Sequence, residues 1–175
     1  MSTPVVAILM GSDSDLPTMS GCASVLEEYG LPYDIRVLSA HRTPEAALEY
    51  ARTAADRGVK VFVCGAGGAA HLAGVVAAHS LLPVIGVPLA SSPLSGFDAL
   101  LSTVQMPPGI PVATVGVGPM GAANAGHLAV AILALADPEL RGKLEARRKK
   151  TTADVLRKNQ DLPARVRELL AKPSK

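Results

Sequence analysis

Short runs of β-branched and aliphatic residues alternate along this chain with longer amphipathic runs, and the two periods predict its elements. Val5 to Met10, Tyr33 to Leu38, Val59 to Cys64, Val84 to Val87 and Val112 to Val117 read as strands. Leu16 to Tyr29, Pro44 to Arg57, Ala69 to Ser80, Phe97 to Val104 and Met120 to Ala136 read as the helices between and after them. Strict succession of strand and helix implies right-handed crossovers, hence an α/β fold with a parallel sheet covered by helices on both faces. Beyond Asp137-Pro138 the pattern turns charged and helical to about Lys158, with a frayed end over Leu162 to Ala171. The expected organisation is one domain over 1–175, with a core over about 4–136 and a helical tail over about 137–175 that lies outside the sheet against a neighbouring subunit.

The helices over Ala69 to Ser80 and Met120 to Ala136 are small and apolar around most of their circumference, and such helices need cover on every side. A domain of 175 residues has too little interior to cover both, so a closed homo-oligomer is expected, the alternative being two unusually buried helices in a monomer. Charge points the same way. From Val61 to Ala136 the only Asp, Glu, Lys or Arg is Asp98, whereas Asp137 to Lys175 holds twelve basic and six acidic residues. A membrane span is the rival explanation, but Gly65-Ala66-Gly67-Gly68, Pro83, Pro88, Pro93 and Pro107-Pro108-Gly109 interrupt every apolar run before it reaches about 20 residues.

Composition narrows the partners. A formal charge of +2 is too small to imply a nucleic-acid partner, and 3% aromatic residues leave no base-stacking platform. Cys22 and Cys64 lack CxxC spacing, and Met1-Ser2-Thr3-Pro4 leads into strand residues without a basic and apolar leader; both suit reduced thiols in a cytoplasmic protein.

Candidate chemistry gathers at strand ends. Ser39-Ala40-His41-Arg42-Thr43-Pro44 places an imidazole beside a guanidinium between a strand and a proline-initiated helix, where open α/β sheets bind ligands, although such a pair also serves as a helix start or a hydrated surface. Gly11-Ser12-Asp13-Ser14-Asp15 offers hydroxyls and free amides to a phosphate and a carboxylate, Asp15, to ribose hydroxyls; an ordinary N-cap by Ser12 or Asp13 is the alternative. Gly65-Ala66-Gly67-Gly68-Ala69-Ala70-His71-Leu72 lacks the third glycine of a dinucleotide fingerprint, and the following strand does not end in an acid, which excludes nicotinamide cofactors. Its row of backbone amides suits a small planar anion or carbon dioxide, with His71 a ligand contact or a helix-start histidine. Pro88-Leu89-Ala90-Ser91-Ser92-Pro93 adds neutral hydroxyls. His79 and His127 lie in apolar helices and read as packed or interfacial; no metal-ligand spacing is present, and Lys60 is the only lysine before Lys143, which argues against Schiff-base or biotinyl chemistry.

GSDSD at 11–15, SAHRTP at 39–44, GAGGAAHLAG at 65–74, GVPLASS at 86–92 and VQMPPGIPVATVGVG at 104–118 together resemble the successive blocks of the N5-carboxyaminoimidazole ribonucleotide mutase family of de novo purine (IMP) biosynthesis. The resemblance runs in order across roughly residues 5–136, and five ordered blocks are more specific than any one. It implies a flavodoxin-like five-stranded sheet of order 2-1-3-4-5, a homo-octamer, and transfer of a carboxylate from the exocyclic nitrogen of the aminoimidazole to ring carbon 4, with transient carbon dioxide and without metal or organic cofactor. It also implies that Ser12 and Asp15 contact the ribonucleotide, that Ser14, Ser39 and Arg42 hold its phosphate, that His41 is the general acid and base, and that Gly67, Gly68, Ala69, Ala70 and His71 line the carboxylate pocket. Ala73 stands where the family block usually has proline, which bears on loop rigidity. The alternatives are an aminoimidazole ribonucleotide carboxylase of the same fold that takes free carbon dioxide, and a non-catalytic nucleotide-binding module.

Overall fold

The structure, a computed structural model, describes residues 3–171. Met1-Ser2 of the expected leaderless start and residues 172–175 of the expected tail lie outside them.

Five strands form one parallel sheet in the order β2-β1-β3-β4-β5: β1 Val6–Met10, β2 Tyr33–Val37, β3 Val61–Gly67, β4 Val84–Leu89 and β5 Ala113–Thr114. Helices cover both faces: α1 Leu16–Glu28 and α5 Pro119–Leu133 on one, α2 Pro44–Thr53 and α3 Leu72–His79 on the other, with α4 Phe97–Val104 near the β4–β5 edge and α6 Pro138–Ala171 trailing from α5. This is the doubly wound, flavodoxin-like arrangement that the alternating pattern and the resemblance imply.

Strand alternation builds the two cores. Val6, Ile8 and Met10 face α1 and α5 with Val61, Val63, Ile85 and Val87, whereas Ala7 and Leu9 face α2 and α3 with Phe62 and Cys64. Full burial of large side chains such as Ile8, Leu9 and Phe62 contributes about 1.5–3 kcal/mol each. Small residues let α5 lie close to α1: a Cβ on Gly126 would stand 3.0 Å from Cys22 O and 2.8 Å from Val25 Cβ. Both cysteines are free and buried, and burial pushes the Cys22 thiol up to about 12 and raises that of Cys64.

Several boundaries differ from expectation. Strand β3 continues past Cys64 through Gly65-Ala66-Gly67, because β4 runs alongside and pairs Ala66 with Pro88 and Gly67 with Leu89. Helix α3 accordingly starts at Leu72 rather than Ala69. The Pro44 helix ends at Thr53, and a 3-10 turn carries Ala55–Arg57. Strand β5 shrinks to two residues, since Pro111 lacks an N–H and Gly118 takes a positive φ of 73°; single backbone bonds from Val115 to Gly86 (3.0 Å) and from Gly118 to Pro88 (2.9 Å) replace the ladder. The tail is one helix through Pro163 to Ala171 rather than a helix with a frayed end.

The two apolar helices each keep an uncovered side within this chain. Ala78 is exposed and Leu81, just after α3, is fully so; Met120 and Leu135 at the ends of α5 are 79% and 88% exposed. Among the described residues no helix is long and apolar enough to cross a membrane.

Candidate active site

Register brings three loops together. Met10, the last residue of β1, pairs with Val37 on β2 and Gly65 on β3, so Gly11, Ser39 and Gly67 emerge side by side where the crossovers from β1 diverge. They enclose a cavity of about 270 Å³. Of the sequence candidates, Ser14, Asp15, Ser39, His41, Arg42, Gly67, Ala69 and His71 line it, whereas Ser12, Gly68 and Ala70 are not part of its wall.

The 39–44 turn is held by its own hydroxyls. Ser39, 8% exposed, accepts from the N–H groups of His41 (3.3 Å) and Arg42 (3.1 Å), while Ser39 N–H donates to Thr43 Oγ1 (2.9 Å) and Thr43 N–H returns to Ser39 O (3.0 Å). Two adjacent side chains therefore leave a fixed turn in different directions. His41 Nε2 lies 2.7 Å from His71 Nδ1, with the rings nearly perpendicular at 81°. Such a contact needs one proton between two nitrogens, so one ring donates and the other accepts. The Arg42 guanidinium instead folds across the first loop and donates to Gly11 O.

His71 reaches this position because α3 starts late. It occupies the N-cap place without making a side-chain cap, after a loop that Gly68 turns with a φ of 60°. His71 is thus at the helix start and also lines the cavity.

In the first loop Ser12 caps the 3-10 turn Asp13–Asp15, and the Asp15 carboxylate accepts from Ser12 N–H at 3.0 Å. Ser14 Oγ donates to Ser12 Oγ at 2.9 Å. Ser12 thus makes the expected cap, while Asp15 lines the cavity. Burial raises its pKa, opposed by the Ser12 N–H and by Arg42, with Asp13 adding to the rise. A carboxylate kept partly desolvated beside a guanidinium is typical of a binding site.

The remaining histidines are structural. His79 Nδ1 lies 2.9 Å from Val75 O. His127 stacks edge-on against Tyr29 and accepts from Arg147 Nη2 at 3.2 Å, its pKa lowered by burial and then by Arg147. Ala73 is buried against the sheet, away from the cavity. Among the described residues no group of three or more His, Cys, Asp or Glu could hold a metal ion. A larger groove of about 920 Å³ lies near His79 and Leu81, on the side of the sheet where β4 begins, and it collects no comparable chemistry.

Two points go beyond the sequence reading. Ser91, singled out there only as one of several neutral hydroxyls, enters the cavity wall because Leu89 pairs with Gly67 and the chain turns over it. The glycine and alanine pocket is open in the isolated chain: His41, Arg42, Ala69, His71 and Ser91 are exposed.

Comparison with known proteins adds an independent line. The AIR carboxylase family model matches residues 5–154. The N5-carboxyaminoimidazole ribonucleotide mutase of Pyrococcus abyssi is 59% identical over 142 residues, covering 81% of this chain and 80% of the relative. That of Bacillus subtilis is 53% identical over 159 residues, covering 91% of this chain and 98% of the relative. The crystal structure of Treponema denticola PurE superposes with a TM-score of 0.82 at 30% identity, covering 91% of this chain and 98% of that one.

Proposed function

The chain belongs to the AIR carboxylase family, and we propose that it is an isomerase, the N5-carboxyaminoimidazole ribonucleotide mutase of purine biosynthesis. One observation carries the reading: a single rigid turn aims His41 at the cavity and sends Arg42 across the Gly11 loop, so proton transfer and anion binding are separated by one residue.

The reaction needs little else. Imidazolium at His41 protonates the carbamate nitrogen, the nitrogen–carbon bond breaks with its electron pair left on nitrogen, and carbon dioxide is released into the cavity. Ring carbon 4 then attacks carbon dioxide, and neutral His41 removes the carbon 4 proton, which restores the imidazolium. One proton enters and one returns. Arg42, with Ser14 and the hydroxyl proton that Ser39 still has to donate, holds the phosphate; Ser12 and Asp15 hold the ribonucleotide. Gly67, Ala69 and His71 line the carboxyl pocket, with Gly68 and Ala70 completing the loop between them. Recapture is effectively intramolecular only if carbon dioxide is held beside the ring.

Purified protein mixed with the carbamate substrate is expected to give the 4-carboxy product without added bicarbonate. Turnover only from aminoimidazole ribonucleotide and carbon dioxide would replace this reading by the carboxylase, and binding without turnover by the nucleotide-binding module.

An open cavity cannot retain carbon dioxide, so the chain, acting as one domain with its helical tail, is inferred to work as a cytoplasmic homo-octamer in which neighbours cover the exposed His41, His71, Leu81 and Met120. Fractionation of cells followed by sedimentation velocity tests both parts: an octamer is expected in the cytoplasmic fraction, and a monomer or a secreted protein contradicts them.

A further inference from the structure

We propose that Ser91 holds the migrating carboxyl group, donating a hydrogen bond to it between its release from nitrogen and its capture by carbon 4. The inference rests on the mutase reading above.

The placement comes from the sheet. Gly67 ends β3 opposite Leu89, the last residue of β4, and two residues later Ser91 bends over Gly67. A Cβ on Gly67 would overlap Ser91 Oγ and approach Leu89 O to 3.2 Å, so the missing side chain makes room for the hydroxyl. Ser91 thereby joins His41 and His71 around one cavity, against a wall of Ala66, Gly67 and Leu72.

The other hydroxyls of the site are tied into the first two loops, where the phosphate is held. Ser39 Oγ accepts from two backbone N–H groups, Ser14 Oγ donates to Ser12 Oγ, and Ser12 Oγ donates to Asp13. Ser91 Oγ has no hydrogen-bond partner among the described residues and is exposed to the cavity.

A neutral donor is what this carboxyl group requires. It is anionic on the carbamate, uncharged as carbon dioxide, and anionic again on carbon 4. A cation in the same place would favour the anionic carbamate and oppose loss of carbon dioxide, while an all-apolar wall would neither orient the linear molecule nor stabilise the charge that returns as the carbon–carbon bond forms. A hydroxyl serves all three states and exchanges no proton.

The test compares Ser91→Ala and Ser91→Thr with the wild type, using the carbamate substrate in ¹³C-bicarbonate buffer. The readout is the ratio of free aminoimidazole ribonucleotide to 4-carboxy product, with the ¹³C content of that product. Ser91→Ala is expected to raise escape and label uptake about tenfold, the effect of one lost hydrogen bond, with affinity for aminoimidazole ribonucleotide, which carries no carboxyl group, unchanged. Ser91→Thr, which keeps the hydroxyl, is expected to restore retention. A variant whose rate falls while the partition ratio stays at the wild-type value, or one that behaves as wild type throughout, overturns the role of Ser91 and leaves the mutase reading intact. Failure of the wild type to convert the carbamate substrate removes both.

Discussion

Replacement of His41 by asparagine is expected to lower turnover by about 10⁴-fold or more while changing ribonucleotide affinity less than about twofold, because one group supplies both a general acid and a general base. Asparagine is close to histidine in shape and keeps a hydrogen-bonding atom in the direction of His71, so the 39–44 turn, held by Ser39 and Thr43, has no reason to move. What disappears is a nitrogen that can take up a proton and return it. The measurement is a single-turnover rate with the carbamate substrate beside a calorimetric affinity for the product. Parallel losses of rate and affinity would count His41 as a binding residue. The His41–His71 contact sharpens the design: a nearly normal rate in His41→Asn, with the large loss found in His71→Asn, would move the proton transfer to the partner ring across the 2.7 Å contact.

The layered fold was legible because periods of two and 3.6 alternate cleanly, and the three loops at the β1, β2 and β3 ends were legible because they break both periods with glycine, serine and charge. Boundaries were less so. Gly65-Ala66-Gly67 carries little strand propensity, yet pairing with Pro88 and Leu89 keeps it in the sheet, and that pairing depends on residues 22 positions away. The His41–His71 contact spans 30 positions, and no local spacing encodes it. Ser91 escaped for a related reason: Ser91-Ser92 offers two hydroxyls in succession, and only the turn over Gly67 decides which enters the cavity. Openness of the pocket was hidden as well, since composition shows that residues are apolar without showing which chain covers them.

Arg42→Ala is expected to weaken ribonucleotide binding by about 10- to 150-fold, the loss of charge-assisted hydrogen bonds worth about 1.5–3 kcal/mol, with a smaller effect on the rate at saturation. Arg42→Lys should recover only part of the affinity, because an ammonium keeps the charge but not the planar fork that matches a phosphate. A second consequence distinguishes this site from a generic basic surface. Burial raises the pKa of Asp15 and Arg42 opposes the rise, so removing the guanidinium leaves the carboxyl protonated up to a higher pH. A protonated Asp15 is a weaker acceptor for ribose hydroxyls. The affinity deficit of Arg42→Ala is therefore expected to be largest at acidic pH and to shrink towards the phosphate contribution alone as pH rises above the Asp15 value. Titration of product affinity against pH in the wild type and Arg42→Ala measures both parts. A deficit independent of pH would uncouple Arg42 from Asp15, and unchanged affinity would remove Arg42 from the phosphate site.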